Sequence, residues 1–525
     1  MLKRGIIVCV SAFYNYYIFH ISIHLQHLTR IADYYIMLKQ GAYCVVSALY
    51  YLRCAMIGRI EEQRLLHELA SSGEAELVAV YGRRRVGKTF LVRETFKNSF
   101  FFTYTGIANC SAKQQMVEFT KALCEHGWTS QNKSLDVLKT WFDAFDALRE
   151  LIQGVKISER IIIFIDEMPW MDNKKSDFVP AFEHFWNGWA SGYKNIMLII
   201  CGSATSWITK KIFRNKGGLY NRVTRQIALK PFSLNECAEY FASRDILMNT
   251  QDIIESYMIF GGIPYYLRMI EKRYSLAINV DRICFEKSSP LRYEFDRLME
   301  SLFANPTKYI QILEVLHTKK IGITRESIAK TVNFGNGGNL TRLLEELEEC
   351  GFIRKYMPFG KSKNGALYNL TDSFIAFHLT FIRNTDSENY WSSFIDNAAH
   401  RAWSGYAFEQ VCFSHIYEIK KAIGISGIHT NISSWISRGN EKGAQIDLVI
   451  DRSDRVINLC EIKFISGQFE IDKAYDLALR NKIEVFRKET KTRKALHLLM
   501  ITPYGVKPGK YSSIVQAEVL IDDML

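Results

Sequence analysis

No two of the eleven cysteines are spaced as Cys-x-x-Cys. That absence argues against a zinc site or a disulfide frame and suits reduced thiols in a cytosolic protein. Neither sign of charge dominates: 67 Lys and Arg stand against 55 Asp and Glu, and the resulting +12 permits a nucleic-acid partner without demanding one. The chain is not poor in apolar residues, which make up 48% beside 23% charged, so the disordered and fibrous classes are set aside. One stretch lacks formal charge altogether, Gly5 to Thr29 behind Lys3-Arg4, and it reads as a membrane segment or signal sequence. Against that, Asn15, His20, His24, Gln26 and His27 interrupt it and no small-residue cleavage site follows. The other reading is that residues 1–55 are not native, because Met56-Ile57-Gly58-Arg59 has the form of a beginning and an upstream start chosen in error would give such a prefix. The prefix carries +4 (Lys3, Arg4, Arg30, Lys39 and Arg53 less Asp33), which leaves about +8 for the rest.

What is present, at 525 residues, is enough for three or four domains. Leu77-Val78-Ala79-Val80-Tyr81 is an apolar, β-branched run of the kind that forms a buried parallel strand. It empties into Gly82-Arg83-Arg84-Arg85-Val86-Gly87-Lys88-Thr89, a G-x-x-x-x-G-K-[ST] phosphate-binding loop. Glycines there let backbone N–H groups turn onto phosphates, Lys88 supplies a point charge, and the Thr89 hydroxyl can ligate Mg²⁺. Phe90 to Lys97 has helical spacing, and a helix N-terminus adds partial positive charge beneath the phosphates. A second apolar strand, Ile161 to Ile165, ends in Asp166-Glu167. Asp166 is thereby expected opposite Thr89 on the Mg²⁺ shell, and Glu167 is expected to polarise the attacking water. A third strand, Ile196 to Cys201, runs into Gly202-Ser203.

Several segments resemble the STAND branch of the AAA+ ATPases. Met56-Ile57-Gly58-Arg59-Ile60-Glu61-Glu62 is similar to the strip that family packs beside the adenine, with Gly58, Arg59 and Glu62 as the matching residues. Trp170 in Asp166-Glu167-Met168-Pro169-Trp170 fits the same pattern. By the resemblance, Ser203 senses the γ-phosphate, and Arg222, in preference to its neighbour Arg225, reaches transition-state charge. Gly261-Gly262-Ile263-Pro264 reads physically as a helix stop and restart, and it looks like the Gly-x-Pro lid element of STAND and origin-recognition ATPases, whose proline approaches the nucleotide.

From Pro306 to Leu370 the pattern is three helices (Tyr309 to His317, Arg325 to Val332, Leu340 to Glu349) and a hairpin pairing Ile353 to Met357 with Ala366 to Leu370. This is the layout of a winged helix-turn-helix. Ten Lys and Arg against six Glu make it mildly basic, and Glu345, Glu346, Glu348 and Glu349 on the third helix would repel a DNA backbone. Direct DNA reading and a structural winged helix packed on the lid both remain open at this point.

In the last 125 residues, Gln445 to Ile450 and Val456 to Lys463 read as a hairpin around Asp454. Such a hairpin sets Asp447 opposite Glu461 on one face, with Lys463 joining them two residues on. Paired carboxylates repel unless a cation sits between them, so a divalent metal is expected rather than a salt bridge. The segment resembles the PD-(D/E)XK nuclease fold. By that resemblance Glu409, in the helical run Ala407 to Ile416, is the first-helix acid, and a long helix (Ile471 to Arg487) and a strand (His497 to Thr502) complete the core. Ile446 replaces the proline of the family's motif.

The expectation is therefore an α/β protein: an uncertain extension (1–55), a P-loop NTPase domain with a parallel sheet (56–235), a helical lid (236–305), a winged helix (306–385) and a C-terminal α/β nuclease-like domain (386–525). ATP and Mg²⁺ are the expected cofactors, and DNA the expected partner. A homo-oligomer is compatible with the sequence, and a membrane is involved only if residues 1–55 are genuine.

Overall fold

The computed structural model describes residues 56–129, 138–155, 159–173, 176–214, 217–333, 338–361, 365–395, 397–437 and 443–525. Both readings of residues 1–55 lie outside them. The three apolar runs are buried on both faces, as strands of a helix-covered parallel sheet are, and they form the middle of a five-stranded parallel sheet whose edge strands are more exposed. Helix α1 (Ile60–Ala70) leads into β1 (Glu76–Tyr81), α2 (Lys88–Thr95), β2 (Phe102–Thr105), α3 (Ala112–Glu125), α4 (Trp141–Gln153), β3 (Ile161–Asp166), α5 (Phe178–Gly188), β4 (Ile196–Gly202) and β5 (Arg225–Ala228). The strand order is β2-β3-β4-β1-β5. Trp141, Phe178, Phe182 and Trp186 fill the core between α4, α5 and the sheet. With β4 central between β1 and β3, the carboxyl ends of both β1 and β3 open on one edge of the sheet, where an open α/β sheet holds its ligand.

Next come α6 (Leu234–Ser243), opened by a Ser233/Glu236 capping box, then α7 (Thr250–Phe260), α8 (Pro264–Leu267) and α9 (Glu294–Leu302). Gly261 caps α7 and Pro264 is the first residue of α8, as the stop-and-restart pattern requires. Helix α10 (Thr307–His317), β6 (Ile323–Thr324), α11 (Arg325–Thr331), α12 (Gly338–Glu349), β7 (Ile353–Tyr356) and β8 (Leu367–Leu370) form a three-helix unit with an antiparallel sheet ordered β6-β8-β7. Part of the hairpin tip, residues 362–364, lies outside the described residues.

After β8 the main elements are α13 (Ser373–Thr380), α14 (Ala398–Ser414), α15 (Ile416–Ala422), β9 (Thr430–Ile436), β10 (Gln445–Arg452), β11 (Val456–Ile462), α16 (Lys473–Thr490), β12 (Ala495–Thr502) and β13 (Ala517–Leu520). They build a mixed sheet, β13-β12-β11-β10-β9, with β9 to β11 antiparallel and β12 and β13 parallel to β11. Leu448 pairs with Cys460 and Val449 with Leu459. One more step in that register sets Asp447 opposite Glu461.

Two helices differ from their sequence pattern. α2 starts at Lys88, two residues earlier than the apolar spacing indicates, and ends before Lys97 and Asn98, which take φ of 50° and 57°. The helix expected over 407–416 runs instead from Ala398 to Ser414 and breaks at His415, whose ring is bonded to Val411 of that helix and to Leu234 at the start of α6. Among the described residues no helix is long and apolar enough to cross a membrane.

Candidate functional site

Gly82 holds φ 140°, and a Cβ there would lie 2.3 Å from the Leu229 carbonyl oxygen, so only glycine lets the chain leave β1 into the loop. The loop wraps its own lysine. Lys88 Nζ donates to the carbonyls of Gly82 (3.0 Å) and Arg83 (2.9 Å), and burial holds the ammonium below its ordinary value despite Cys201, Glu167 and Asp166 nearby. Thr89 Oγ1 donates to Asp166 Oδ2 at 2.7 Å, which brings the two predicted Mg²⁺-shell oxygens together across the α2 and β3 ends. This hydroxyl and carboxylate, both hard oxygen donors, suit a Mg²⁺ that keeps most of its waters. Glu167, at φ 46°, turns toward the tip of β4: Ser203 donates to it from Oγ (2.7 Å) and from N–H (3.3 Å). Glu167 and Ser203 are thus one hydrogen-bonded pair.

The three loop arginines, expected at the phosphates, behave differently. Arg83 is buried and its Nη1 lies 2.8 Å from Asp372 Oδ2, with the Phe352 and Tyr266 rings 5.5 and 6.0 Å from its guanidinium. Burial raises the Asp372 carboxyl even with Arg83 beside it. Arg85 is ion-paired with Glu294 and stacks 4.3 Å from the Tyr265 ring. Tyr266 in turn donates to Glu294 at 2.9 Å. Pro264 thus comes to the loop through its neighbours Tyr265 and Tyr266, and both arginines are ion-paired with acids. Arg84 is half-buried and Val86 is buried.

Arg59 is buried, with Nη2 2.5 Å from the Lys230 carbonyl and its guanidinium 4.8 Å from the Phe232 ring. Its N–H donates to Glu236 Oε1 at 3.2 Å, and Gly58 is pressed on the same carboxylate, 2.5 Å from where a Cβ would stand. Glu62 lies 3.9 Å from Arg59.

Arg222 is at the wrong end of the sheet for the role expected of it. It precedes β5, and Thr224 N–H bonds the carbonyl of Leu77 at the start of β1, whereas the loop leaves from the end of β1. It stands exposed beside Gly217, Gly218 and Tyr220. Within its own chain it does not reach the loop.

In the C-terminal sheet, Glu461 is 2% exposed and crowded by cations. Lys482 Nζ lies 2.6 Å from Oε2, Lys463 Nζ 3.1 Å from Oε1, and Tyr475 OH donates to Oε1 at 2.6 Å. Burial works against its charge, but the two lysines hold the carboxyl below its ordinary value. Asp447 is raised by burial and by Glu461. Burial, with the charge of Asp447 behind it, pushes Glu409 up to about 8, opposed by Lys463 and Lys320. All four expected residues therefore feel one another. The expected metal is another matter: among the described residues no three His, Cys, Asp or Glu stand where they could hold one. The cations facing Glu461 are Lys463 and Lys482, so the salt bridge that the sequence argument set aside is what forms here.

In the three-helix unit, α12 and the segment after β7 both make contacts to other parts of the chain. On α12, Glu346 takes Lys210 at 2.6 Å, Arg342 at 3.0 Å and the Tyr309 hydroxyl. Just past β7, Phe359 N–H bonds the Ser434 carbonyl of β9 at 3.0 Å, and its ring meets Phe486 of α16 at 5.0 Å. Arg354 covers Phe413 at 4.3 Å.

Residues 57–270 match the family model of an ATPase domain found predominantly in Archaea. This stretch has the P-loop NTPase fold. Residues 372–474 match a family of archaeal and bacterial proteins of unknown function. An uncharacterized protein of Methanocaldococcus jannaschii is 27% identical over 424 residues, which cover 78% of this chain and 87% of that one. Among solved structures, a Walker-type ATPase of Pyrococcus abyssi aligns over 62% of this chain and 96% of its own at 18% identity, with a TM-score of 0.43. The Aeropyrum pernix ORC2 protein aligns over 64% and 95% at 13% identity, with a TM-score of 0.40.

Around the P-loop NTPase site the sequence reading missed Asp372, Glu294, Glu236 and His415, and in the C-terminal centre Tyr475, Lys482 and Lys320. Glu236 and Asp372 carry only helix-capping patterns, which say nothing of the arginines they meet. Each reaches its partner from a distant segment, and only the fold supplies that proximity.

Proposed function

We propose that the protein is an ATP-binding and ATP-hydrolysing switch, similar to STAND-type AAA+ ATPases, whose nucleotide state is passed through its lid and winged helix to a C-terminal PD-(D/E)XK-like domain. The observation that carries the reading is the contact of Thr89 with Asp166 at 2.7 Å directly behind a loop whose lysine is buried on it. When bound there, Mg²⁺ would neutralise phosphate charge, with Thr89 and Asp166 as its protein oxygens. Lys88 leaves the Gly82 and Arg83 carbonyls to meet the phosphates, and those carbonyls turn as the loop's N–H groups turn inward. Glu167 swings off Ser203 to orient water, while Ser203 keeps it from doing so in the structure as it stands. Arg83 and Arg85 tie the moving loop to Asp372 and Glu294. Lys88→Ala is expected to abolish ATP binding, and Glu167→Gln to bind ATP without turning it over. Wild-type turnover in Glu167→Gln would remove that residue from its role.

For the winged helix, the contacts of Glu346 with Lys210 and of Phe359 with Ser434 favour the structural role over direct DNA reading. The reading as a metal-dependent deoxyribonuclease centred on Glu409, Asp447, Glu461 and Lys463 rests on the β10–β11 register that opposes Asp447 to Glu461 and on Lys463 3.1 Å from Glu461; against it, these residues do not form a metal-holding group. A regulator that cuts nothing is supported by the lysine pairing of Glu461. Cleavage of DNA in Mg²⁺ or Mn²⁺ that is lost in Asp447→Ala and in Lys463→Ala is the expected result for a nuclease. Equal rates in all three proteins decide for the regulator.

A further inference from the structure

Beside the P-loop lies a cavity of about 620 Å³, within the range of small-ligand sites. Its walls come from segments far apart in sequence: Arg59, Arg83, Phe232, Asp372, His415 and Glu418 all line it. The lining is mixed, with an aromatic ring under a guanidinium and acids around them, which suits a flat heteroaromatic ring and a hydroxyl-bearing sugar better than an apolar ligand. Behind one wall sits a strained group. Arg83 is 8% exposed, its Nη1 is on Asp372, and its Nε and Nη2 have no partner. That edge of a guanidinium grips acceptor oxygens in pairs, and leaving it empty in a buried place is costly.

The C-terminal half is fastened at this point. His415 is 2% exposed, with Nε2 accepting from Leu234 N–H at 3.0 Å and Nδ1 on the Val411 carbonyl at 2.9 Å. Leu234 opens α6, and the capping carboxylate of that helix, Glu236, also receives the Arg59 N–H. A continuous polar chain therefore runs from Gly58-Arg59 through Glu236 and the α6 N-terminus to the α14–α15 junction.

We propose that this cavity is the base-and-ribose pocket of the nucleotide and that His415 to Glu418 form its outer wall, so that the C-terminal half reads nucleotide occupancy directly. The proposal rests on the reading of the P-loop as an ATP site. It makes the α14–α15 junction part of the ligand site rather than a remote responder.

Hydrogen exchange on the full-length chain with ATP and Mg²⁺ tests this together with titration of a fluorescent ATP analogue. The amides of α15 (Ile416–Ala422) and of the loop are expected to slow together in wild type and in neither place in Lys88→Ala. Glu418→Arg, which fills the cavity from a half-buried helix position, is expected to weaken analogue binding at least fivefold while its ligand-free melting point stays that of wild type. Slowed loop amides with unchanged α15, and wild-type affinity in Glu418→Arg, would overturn the shared pocket and leave the ATP site standing. Loop amides that do not slow in wild type would overturn the ATP site itself.

Discussion

His378 shows what a single buried ring costs this molecule. Its ring stacks on Phe295 at 4.8 Å and is 5% exposed, Nδ1 has no partner, and burial together with the Arg383 charge lowers its pKa to about 4. Between pH 6.5 and 4 the unfolded chain binds a proton there that the folded chain refuses. Stability therefore falls as the pH drops through that window, and the shift corresponds to about 3 kcal/mol from this residue. His317 and His415, also held low by burial, add to the loss. Melting temperatures taken from pH 7 to 4 should drop for wild type and drop less for His378→Phe; equal slopes would mean the ring already protonates in the fold. At the same scale Glu461 marks where sequence reasoning stopped. Period-2 alternation sufficed to oppose it to Asp447, because register follows from the turn at Asp454. It gave no access to Lys482 and Tyr475, which arrive from α16, so the cation expected between the carboxylates was assigned to a metal instead of to lysines.

At the scale of elements, the buried strands and their order of motifs were legible because apolar β-branched runs allow few alternatives. The loop–helix junction was legible because its glycines and lysine have fixed local tasks. What the loop is fastened to was not, since Arg83 looks the same in sequence whether it meets a phosphate or Asp372. That fastening makes a measurable claim about the N-terminus of α13. Asp372 caps this helix by accepting the Ile375 N–H at 2.9 Å, and its other oxygen holds Arg83 with side chains 1% and 7% exposed. Removing one member of a buried pair leaves the other charged and unpaired, at a typical cost of about 3–5 kcal/mol. Arg83→Met should therefore lower the unfolding free energy by about 3 kcal/mol. Asp372→Asn added to it keeps a cap and removes the stranded charge, and should recover most of the loss. Denaturant unfolding of the two single variants and the double closes the cycle. Additive losses would show that the pair does not bind loop to helix.

At the scale of the whole molecule, residues 57–525 are held by ties that each cross between units: Arg83 to Asp372, Arg85 to Glu294, Lys210 to Glu346, His415 to Leu234, and Phe359 on the C-terminal sheet. Several of these leave a charge or a polar group stranded when broken, so opening one interface raises the free energy of those next to it. The consequence is that this body should unfold as one transition rather than in pieces. Trp141 and Trp186 lie in the P-loop NTPase core and Trp435 in the C-terminal sheet, so fluorescence can follow both ends of the chain. With single-tryptophan variants retaining either Trp186 or Trp435, the two melts should coincide. Both should also move up together with ATP and Mg²⁺, by an amount equivalent to about 2.7 kcal/mol at a hundred times the dissociation constant. Lys88→Ala should show coincident melts that ATP leaves in place. If only the Trp186 transition rises with nucleotide, the C-terminal sheet folds on its own account, and the ties across the body carry no signal between the loop and Asp447.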